Sequence, residues 1–363
     1  MKIAIIGGSI AGMATAVRMQ QSGHEVTLWE RSSASDRRGG FGMILDSATT
    51  GLLQELGLRL DHCAHPIHTY SVHDCVSGFH HHEPMQKCLG IERRHIVCQL
   101  KSLLHPGTLR FDAEFERFEV DEKGAATSAV FTDGRKVQAD LFVGADGSRS
   151  KVRKEHLPGP AIAPVKTVEL VGISSFKESP ALVKGCFRKV LRTTDGAALG
   201  MVPTGDDNVV WYFQWDLRRW PQTLWEPGDR NAWLTRELRS WPGFVREIVH
   251  RGGLEGAHLY GTADRDLPDR FHRNNVVLVG DAAHPLLTFT SQGVGSAVED
   301  AILLSNLIDQ NAKTSARGLD EKLETYAKLR LPILKQRLLY GRKLQRQFLG
   351  LDANFPSTIP ICA

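Results

Sequence analysis

The residues with the clearest chemical potential stand near the N-terminus, where Gly7-Gly8-Ser9-Ile10-Ala11-Gly12 follows a short apolar run. This is a G-x-G-x-x-G pattern in which Ser9 replaces the middle glycine. Gly7 permits a tight turn, and Gly12 lets a following helix pack closely on its sheet. Ser9 is the smallest change that keeps the backbone near a phosphate, and its hydroxyl adds a hydrogen-bond donor. A helix opening at Ile10 and Ala11 turns unpaired N–H groups and partial positive charge toward that point, which suits a pyrophosphate. Glu30, 18 residues beyond Gly12, supplies a carboxylate at the end of the next apolar run. It can accept both ribose hydroxyls of an adenosine while repelling a 2′-phosphate. The chemistry is dinucleotide binding, with NAD and FAD both open at this point.

The elements that must position these residues can be read around them. Residues 2–6 form a strand, 10–21 a helix of small residues closed by Ser22-Gly23, and 25–30 a second strand. Strand, glycine turn, helix and strand make a βαβ unit with parallel neighbours. A glycine-rich loop at 39–42 and a helix at 48–56 follow. Residues 62–89, rich in His and Cys with alternating apolar positions, are expected to form a hairpin that leaves the first domain. Helical periodicity returns over 91–104, then short strands recur over 109–143 with turns at Glu122-Lys123-Gly124 and Asp133-Gly134. Further on come a strand at 209–217, helices at 232–240 and 244–250, a buried strand at 276–279 and a helix at 292–311. A last helical stretch covers 318–350, with Pro332 expected to interrupt it.

At 363 residues, 42% hydrophobic and 24% charged, the chain can bury a full core, which argues against disorder and against a disulfide-stapled miniprotein. A formal charge of +4, from 45 Lys+Arg against 41 Asp+Glu, falls short of a nucleic-acid binder's field. The six cysteines include no CxxC pair, and the chain runs straight into MKIAIIGGSIAG without a signal-peptide pattern. No apolar run reaches the ~18 residues of a membrane span. The expectation is a cytoplasmic monomer or homodimer without stable membrane insertion, acting on a small molecule.

Two further motifs bear on the cofactor. Residues 139–153 read ADLFVGADGSRSKVR, and residues 276–301 read VVLVGDAAHPLLTFTSQGVGSAVEDA. With GGSIAG they resemble the three motifs of the group A flavoprotein monooxygenases, the para-hydroxybenzoate hydroxylase-like family. The resemblance implies an α/β protein: a Rossmann-like FAD-binding domain interleaved with a β-sheet-rich substrate domain. The FAD-binding part would comprise 1–62, 90–157 and 263–330, the substrate part 63–89 and 158–262, and a C-terminal helical segment 331–363. FAD is then the cofactor, with NADH or NADPH as a transient reductant.

By the same resemblance, Asp146 helps bind FAD and the nicotinamide, and Asp281 hydrogen-bonds the flavin's ribityl chain. A carboxylate suits a polyol because it accepts weak donors well. Pro285 would pack beside the flavin ring, while Gly293, Val294 and Gly295 aim helix N–H groups at the ring edge that carries charge when reduced. Arg93 or Arg94 occupies the family's arginine position; Arg93 is favoured, because Ile91 and Ile96 then fall on the apolar positions. Arg31, beside Glu30, and Gly42 complete the cofactor set. Arg37 and Arg38 precede the glycine loop, where relatives bring an arginine near the flavin. The chain departs from the family at Ser291, often Gly, and near Ser296, where Asn is common.

The candidate substrate contacts are Ile44, Trp211, Phe213 and Leu286. Six of seven tryptophans lie between 211 and 241. Along Trp211-Tyr212-Phe213-Gln214-Trp215 the odd positions share one face, which can either floor an aromatic pocket or pack as core. Ile44 stands where some relatives carry a polar or catalytic group, so the catalytic residue is unassigned and the pocket reads as apolar. The His/Cys cluster between His62 and His82 lacks a closed zinc spacing, so no metal site is expected. His284, in GDAAHP, reads as a turn residue rather than a base. The implied activity is hydroxylation of an aromatic or similarly electron-rich small molecule with O2, through a flavin C4a-hydroperoxide. A dehydrogenase or reductase without oxygen insertion and a flavin-binding regulator are the alternatives.

Overall fold

A computed structural model describes residues 1–35, 41–175, 185–220, 227–252, 254, 256–308 and 315–350. Arg37, Arg38, Gly39 and Gly40 of the glycine loop lie outside the described residues, as does the segment 351–363.

The chain opens with β1 (Lys2–Ile6), α1 (Ile10–Gln21) and β2 (Glu25–Trp29), and the two strands pair in parallel, Ile3 opposite Val26. Four of the five β1 residues are buried because both faces of this parallel sheet are covered: α1 lies on one, and on the other Trp29 stacks on Phe131 and Phe142 meets Phe118 of a small sheet. Gly23, at φ +74°, closes α1: its N–H reaches Gln20 O at 2.8 Å, and the His24 N–H reaches Met19 O at 3.1 Å.

Next come β3 (Gly42–Leu45), α2 (Ser47–Glu55), the hairpin β4 (Ala64–Asp74) and β5 (His80–Glu92), and α3 (Arg93–Leu103). Strand β5 runs to Glu92, so Ile91 and Glu92 belong to the sheet and not to the helix expected from 91. Then follow β6 (Leu109–Arg110), β7 (Phe115–Val120), β8 (Ala126–Phe131), β9 (Lys136–Gln138), β10 (Leu141–Gly144) and α4 (Lys151–His156). The middle of the chain supplies β11 (Thr167–Ser175), β12 (Cys186–Arg192), β13 (Ala197–Pro203), β14 (Asn208–Asp216), α5 (Pro227–Glu237), α6 (Gly243–Gly252) and β15 (His258–Thr262). The end returns with β16 (His272–Arg273), β17 (Val276–Leu278), α7 (Gly293–Leu307) and α8 (Ala316–Gly350).

Three sheets result. A six-stranded sheet, β16-β17-β10-β1-β2-β6, is parallel except at its β16 edge. An eight-stranded sheet runs β15-β11-β14-β13-β12-β4-β5-β3, and a small sheet joins β7, β8 and β9. The large sheet draws on residues 42–45 as well as on the hairpin and the middle of the chain. One of its faces packs under α5 and α6, with Trp211, Phe213, Trp215, Trp241 and Ile248 all buried. The opposite face turns toward the loop that follows β17.

Helix α8 is continuous through Pro332. Pro332 is exposed, so water can satisfy the carbonyl of Lys328 that loses its helical donor. Buried Arg330 on one side and Leu334 and Leu338 on the other hold both halves in line. The helix spans the molecule. Tyr326 donates to Leu278 O (3.4 Å) in the parallel sheet, whereas Gln345 donates to Thr167 Oγ1 (3.2 Å) and Phe348 packs against the large sheet.

Candidate functional site

The glycine turn has the geometry its residues demand. Gly7 sits at φ +110°, and a Cβ there would fall 2.3 Å from Ala145 O at the end of β10. A Cβ on Gly12 would lie 1.8 Å from Gly7 O, so the first turn of α1 presses directly on the loop. Ser9 is the N-cap but makes no side-chain capping bond. Instead its Oγ accepts from Arg93 Nη2 at 2.5 Å. The first N–H groups of α1 therefore point into a cleft without a side-chain partner, and a guanidinium stands beside them.

Glu30 Oε2 accepts the Gly8 N–H at 2.6 Å, and Oε1 accepts the Ser32 N–H at 2.8 Å. The carboxylate braces the turn and retains lone pairs for ribose hydroxyls. Burial lowers the pKa of Arg93, while Tyr260, Asp281 and Glu30 favour its charged form.

The cleft measures about 830 Å³, near the upper end of ligand pockets at ~1,000 Å³. Its walls come from distant parts of the chain: 6–11, 29–34, Arg93, 145–147, Asp281, Gly293 and Val294 among them. Of the expected cofactor residues, Gly7, Ser9, Ile10, Ala11, Glu30, Arg31, Arg93, Asp146, Asp281, Gly293 and Val294 line it. Gly12 lies just behind, Pro285 is buried next to the loop, and Gly295 abuts Thr49, whose Oγ1 a Cβ would approach to 2.6 Å.

Two of these residues have other structural work. Asp146 accepts from Ser150 Oγ (2.5 Å), Lys151 N (2.7 Å) and Val152 N (3.1 Å), which caps α4 at the cleft wall. Gly42 lies in the large sheet, where a Cβ would meet Val210 Cγ2 at 2.7 Å and Ile91 O at 2.8 Å. That is a packing requirement.

Asp281 opens to the cleft. The surrounding protein raises its carboxyl pKa, Asp300 adds to the effect, and His284 and Arg93 oppose it. His284 itself is buried, and its Nε2 bonds Asp300 Oδ2 at 2.5 Å. Asp300 also accepts the Gly280 N–H (2.8 Å) and Arg330 Nε (2.7 Å). His284 thus anchors the turn that presents Asp281, in keeping with its place in GDAAHP.

Helix α7 begins at Gly293, and Gln292 makes no side-chain cap, so a second free helix N-terminus faces the cleft. Ser291 sits at φ +51°, a left-handed conformation that favours glycine. That conformation costs a residue with a Cβ about 1–2 kcal/mol. Ser291→Gly is therefore expected to raise stability by up to about 1 kcal/mol after glycine's greater unfolded-state entropy is counted. An unchanged or lower urea midpoint would contradict it.

The substrate candidates divide. Ile44 is buried beside a small cavity that also touches Ser291, Gln292 and Gly295, and Leu286 is half-buried on the loop after Asp281. Trp211 and Phe213 do not face the cleft. Both are fully buried under α5 and α6, and Trp211 Nε1 donates to Ser174 Oγ at 2.9 Å. The alternation was right, but the tryptophan face is core.

The opposite face carries Tyr212 and Gln214, with Glu169 and Lys189 beside them. Gln214 Nε2 donates to Glu169 Oε1 at 2.6 Å, and so does Thr288 Oγ1, also at 2.6 Å, from the loop after Asp281. These residues were not singled out from the sequence. The available signal was one charge in the otherwise apolar TVELVG; in CFRKVLR, Lys189 is one of three basic residues and does not stand out.

Among the described residues no group of three or more His, Cys, Asp or Glu could hold a metal, and no helix is long and apolar enough to cross a membrane. FAD fits the cleft: two uncapped helix N-termini, a guanidinium and two carboxylates converge where glycines leave room for backbone approach.

Comparison with known proteins agrees. The family described as FAD binding domain matches residues 1–339. The 3-amino-4-hydroxybenzoate 2-monooxygenase PtmB3 of Streptomyces platensis is 29% identical over 92% of this chain and 85% of its own. The 6-hydroxynicotinate 3-monooxygenase of Bordetella bronchiseptica is 26% identical over 85% and 83%. Among solved structures, Klebsiella pneumoniae HpxO complexed with FAD and uric acid superposes with a TM-score of 0.82 at 20% identity, covering 97% of this chain and 92% of that one. The 2,6-dihydroxypyridine-3-hydroxylase of Arthrobacter nicotinovorans gives 0.82 at 22% identity, over 100% and 96%. This chain belongs to the FAD binding domain family and is an FAD-dependent monooxygenase of the para-hydroxybenzoate hydroxylase-like group.

Proposed function

We propose that the protein hydroxylates a small aromatic or heteroaromatic compound, held between the flavin cleft and the inner face of the large sheet. The observation that carries this reading is the cleft itself. It brings the N-terminus of α1, Arg93, Asp281 and the N-terminus of α7 to one surface, and the loop that presents Asp281 continues to Thr288 at the large sheet.

In this reading Gly7 to Gly12 receive the pyrophosphate, Glu30 the adenosine ribose, Arg93 a phosphate or the ribityl chain, and Asp281 the ribityl hydroxyls. The α7 N–H groups face the ring edge that gains negative charge on reduction. When bound, FAD supplies hydride acceptance from NADH or NADPH and activation of O2 for insertion of one oxygen atom, with water as co-product. The chain's own part is to exclude water, orient the ring and hold these charges in place. In this reading residues 1–62, 90–157 and 263–330 serve the nucleotide and 63–89 and 158–262 the substrate, except that β3 (42–45) and the end of β5 belong to the large sheet. The relatives' substrates, an aminohydroxybenzoate and a hydroxynicotinate, support an electron-rich ring.

Paired measurement of NADH or NADPH oxidation and O2 uptake across an aromatic panel tests the reaction. Oxygen uptake with a hydroxylated product is expected; turnover unaffected by removal of O2 would overturn the reading. For the site, Asp281→Ala is expected to purify with little FAD, and a variant that keeps stoichiometric flavin would show that Asp281 has another role.

A further inference from the structure

From Thr325 to Gly350 helix α8 carries seven cations, Lys328, Arg330, Lys335, Arg337, Arg342, Lys343 and Arg346, and no acidic residue. The fold sorts them into two sets. Arg330 turns inward to Glu299 and Asp300, Arg337 to Glu299, and Arg342 to Asp264 and Asp266, all at 2.6–2.7 Å. Lys328, Lys335, Lys343 and Arg346 turn outward and are exposed. Lys328 meets Glu324 at 3.7 Å, whereas Lys335, Lys343 and Arg346 have no acidic partner among the described residues.

The same outward arc exposes apolar side chains. Leu329, Ile333 and Leu339 are 51%, 42% and 52% exposed, three of the eight large apolar side chains left exposed among the described residues. Pro332 is exposed with them. At 3.6 residues per turn, Leu329, Pro332, Ile333, Leu339 and Lys343 fall within about 120° of the helix circumference, and Lys335 and Arg346 border that arc beside Leu339. The stripe from Leu329 to Arg346 runs about 26 Å along the surface. Core packing does not account for it, because another arc of α8 serves the core: Leu334, Leu338, Leu344 and Phe348 are buried.

Charge selects the occupant. A second copy of this chain, docked by the same face, would set like cations against each other across a two-fold contact. An anionic bilayer surface suits both halves of the pattern. The apolar side chains enter the boundary between headgroups and acyl chains, while lysine and arginine hold their charge at the headgroups on long stems. No described helix is long and apolar enough to cross a membrane, so the contact is made along the helix side. Because α8 is already folded and fastened, binding does not have to order it.

We propose that the outer face of α8 docks the enzyme reversibly on membranes rich in anionic phospholipid, with Lys335, Lys343 and Arg346 at the headgroups and Leu329, Ile333 and Leu339 beneath them. None of these residues lines the flavin cleft, so the proposal stands apart from the identity of the ring that is hydroxylated.

The test sediments the FAD-loaded protein with vesicles of phosphatidylcholine alone, and with vesicles of equal parts phosphatidylcholine and phosphatidylserine. Binding is expected to the mixed vesicles and not to phosphatidylcholine alone, weakening as salt is raised. One basic side chain near such a surface contributes about fivefold in affinity, so Lys335→Gln, Lys343→Gln and Arg346→Gln together should weaken binding about 100-fold. Leu329→Gln, Ile333→Gln and Leu339→Gln together should weaken it at least about tenfold. A matched control, Lys123→Gln with Arg236→Gln and Arg239→Gln, removes as many exposed charges elsewhere and should leave binding unchanged. All these positions are exposed, so FAD content should stay that of the unaltered protein. Equal binding to both kinds of vesicle, or binding to neither, would overturn the proposal. So would an equal loss in the control and the α8 charge variant, or no loss in the latter. A dimer that dissociates in the apolar variant would overturn it too, since that face would then join two copies.

Discussion

Asp300→Ala is expected to destabilise the protein by about 3–5 kcal/mol, the range for breaking a buried ion pair by removing one partner. Asp300 is fully buried and accepts three hydrogen bonds, from His284 Nε2, the Gly280 N–H and Arg330 Nε. Removing it strands a buried guanidinium, a buried imidazole and a backbone N–H together. Arg330 retains Glu299 at 2.7 Å, which places the effect toward the lower end of the range. The pH dependence has a definite sign. Burial alone would raise the Asp300 carboxyl, but His284, Arg330 and the Gly280 N–H outweigh it and hold the folded-state pKa below the ordinary value. Such a group contributes its full stability above the unfolded value of about 3.9 and loses it as pH falls through the folded one. The gap between the parent protein and Asp300→Ala in urea unfolding should therefore be widest at neutral pH and close in acid. A gap below about 1 kcal/mol at pH 7 would mean that Glu299 alone satisfies Arg330.

The second large effect concerns FAD. Gly12→Ala places a methyl 1.8 Å from Gly7 O and 3.3 Å from Ala145 Cβ. Neither neighbour is the flexible end of a side chain, so the turn itself must move. Movement there shifts the N–H groups that would receive the pyrophosphate. FAD affinity is expected to fall at least about 100-fold, equivalent to about 2.7 kcal/mol. Gly51→Ala provides the control: Gly51 lies within α2 with nothing within 4 Å of the added methyl. That change should leave FAD affinity unaltered and strengthen the helix by up to about 1 kcal/mol. Equal FAD affinity in Gly12→Ala and the unaltered protein would remove the turn from the binding site.

The fold was legible where local chemistry and tertiary role coincide. Gly7, Gly12 and Gly23 each mark a local backbone requirement, a turn or a helix end, so β1, α1 and β2 could be read directly. Asp281 and its neighbours at the start of α7 were legible through the resemblance that GDAAHP and its flanking residues carry, not through local geometry. Legibility failed where the deciding partner is distant in sequence. The strand around Trp211 has a clear alternation, yet alternation cannot say which face meets helices and which meets the loop after β17. Only α5 and α6, packed over Trp211 and Phe213, settle that question. Lys189 and Glu169 went unnoticed because their standing on one face of the large sheet depends on the register of four strands. Pro332 misled in another way: its local rule holds, but its carbonyl partner faces water and the helix is fastened on both sides.

That fastening bears on how the enzyme can work. Helix α8 is riveted at one end to the parallel sheet and at the other to the large sheet. Arg342 adds bonds to Asp264 and Asp266, each at 2.7 Å, near the junction. A strut about 50 Å long, fixed at both ends, resists hinge bending between the parts it joins. The two halves therefore move as one stiff body, and a clamshell opening is not available to admit reactants. Entry and exit are then expected to depend on side chains and loop segments at the mouth of the cleft. Changes at the mouth are then expected to alter traffic without loosening the frame.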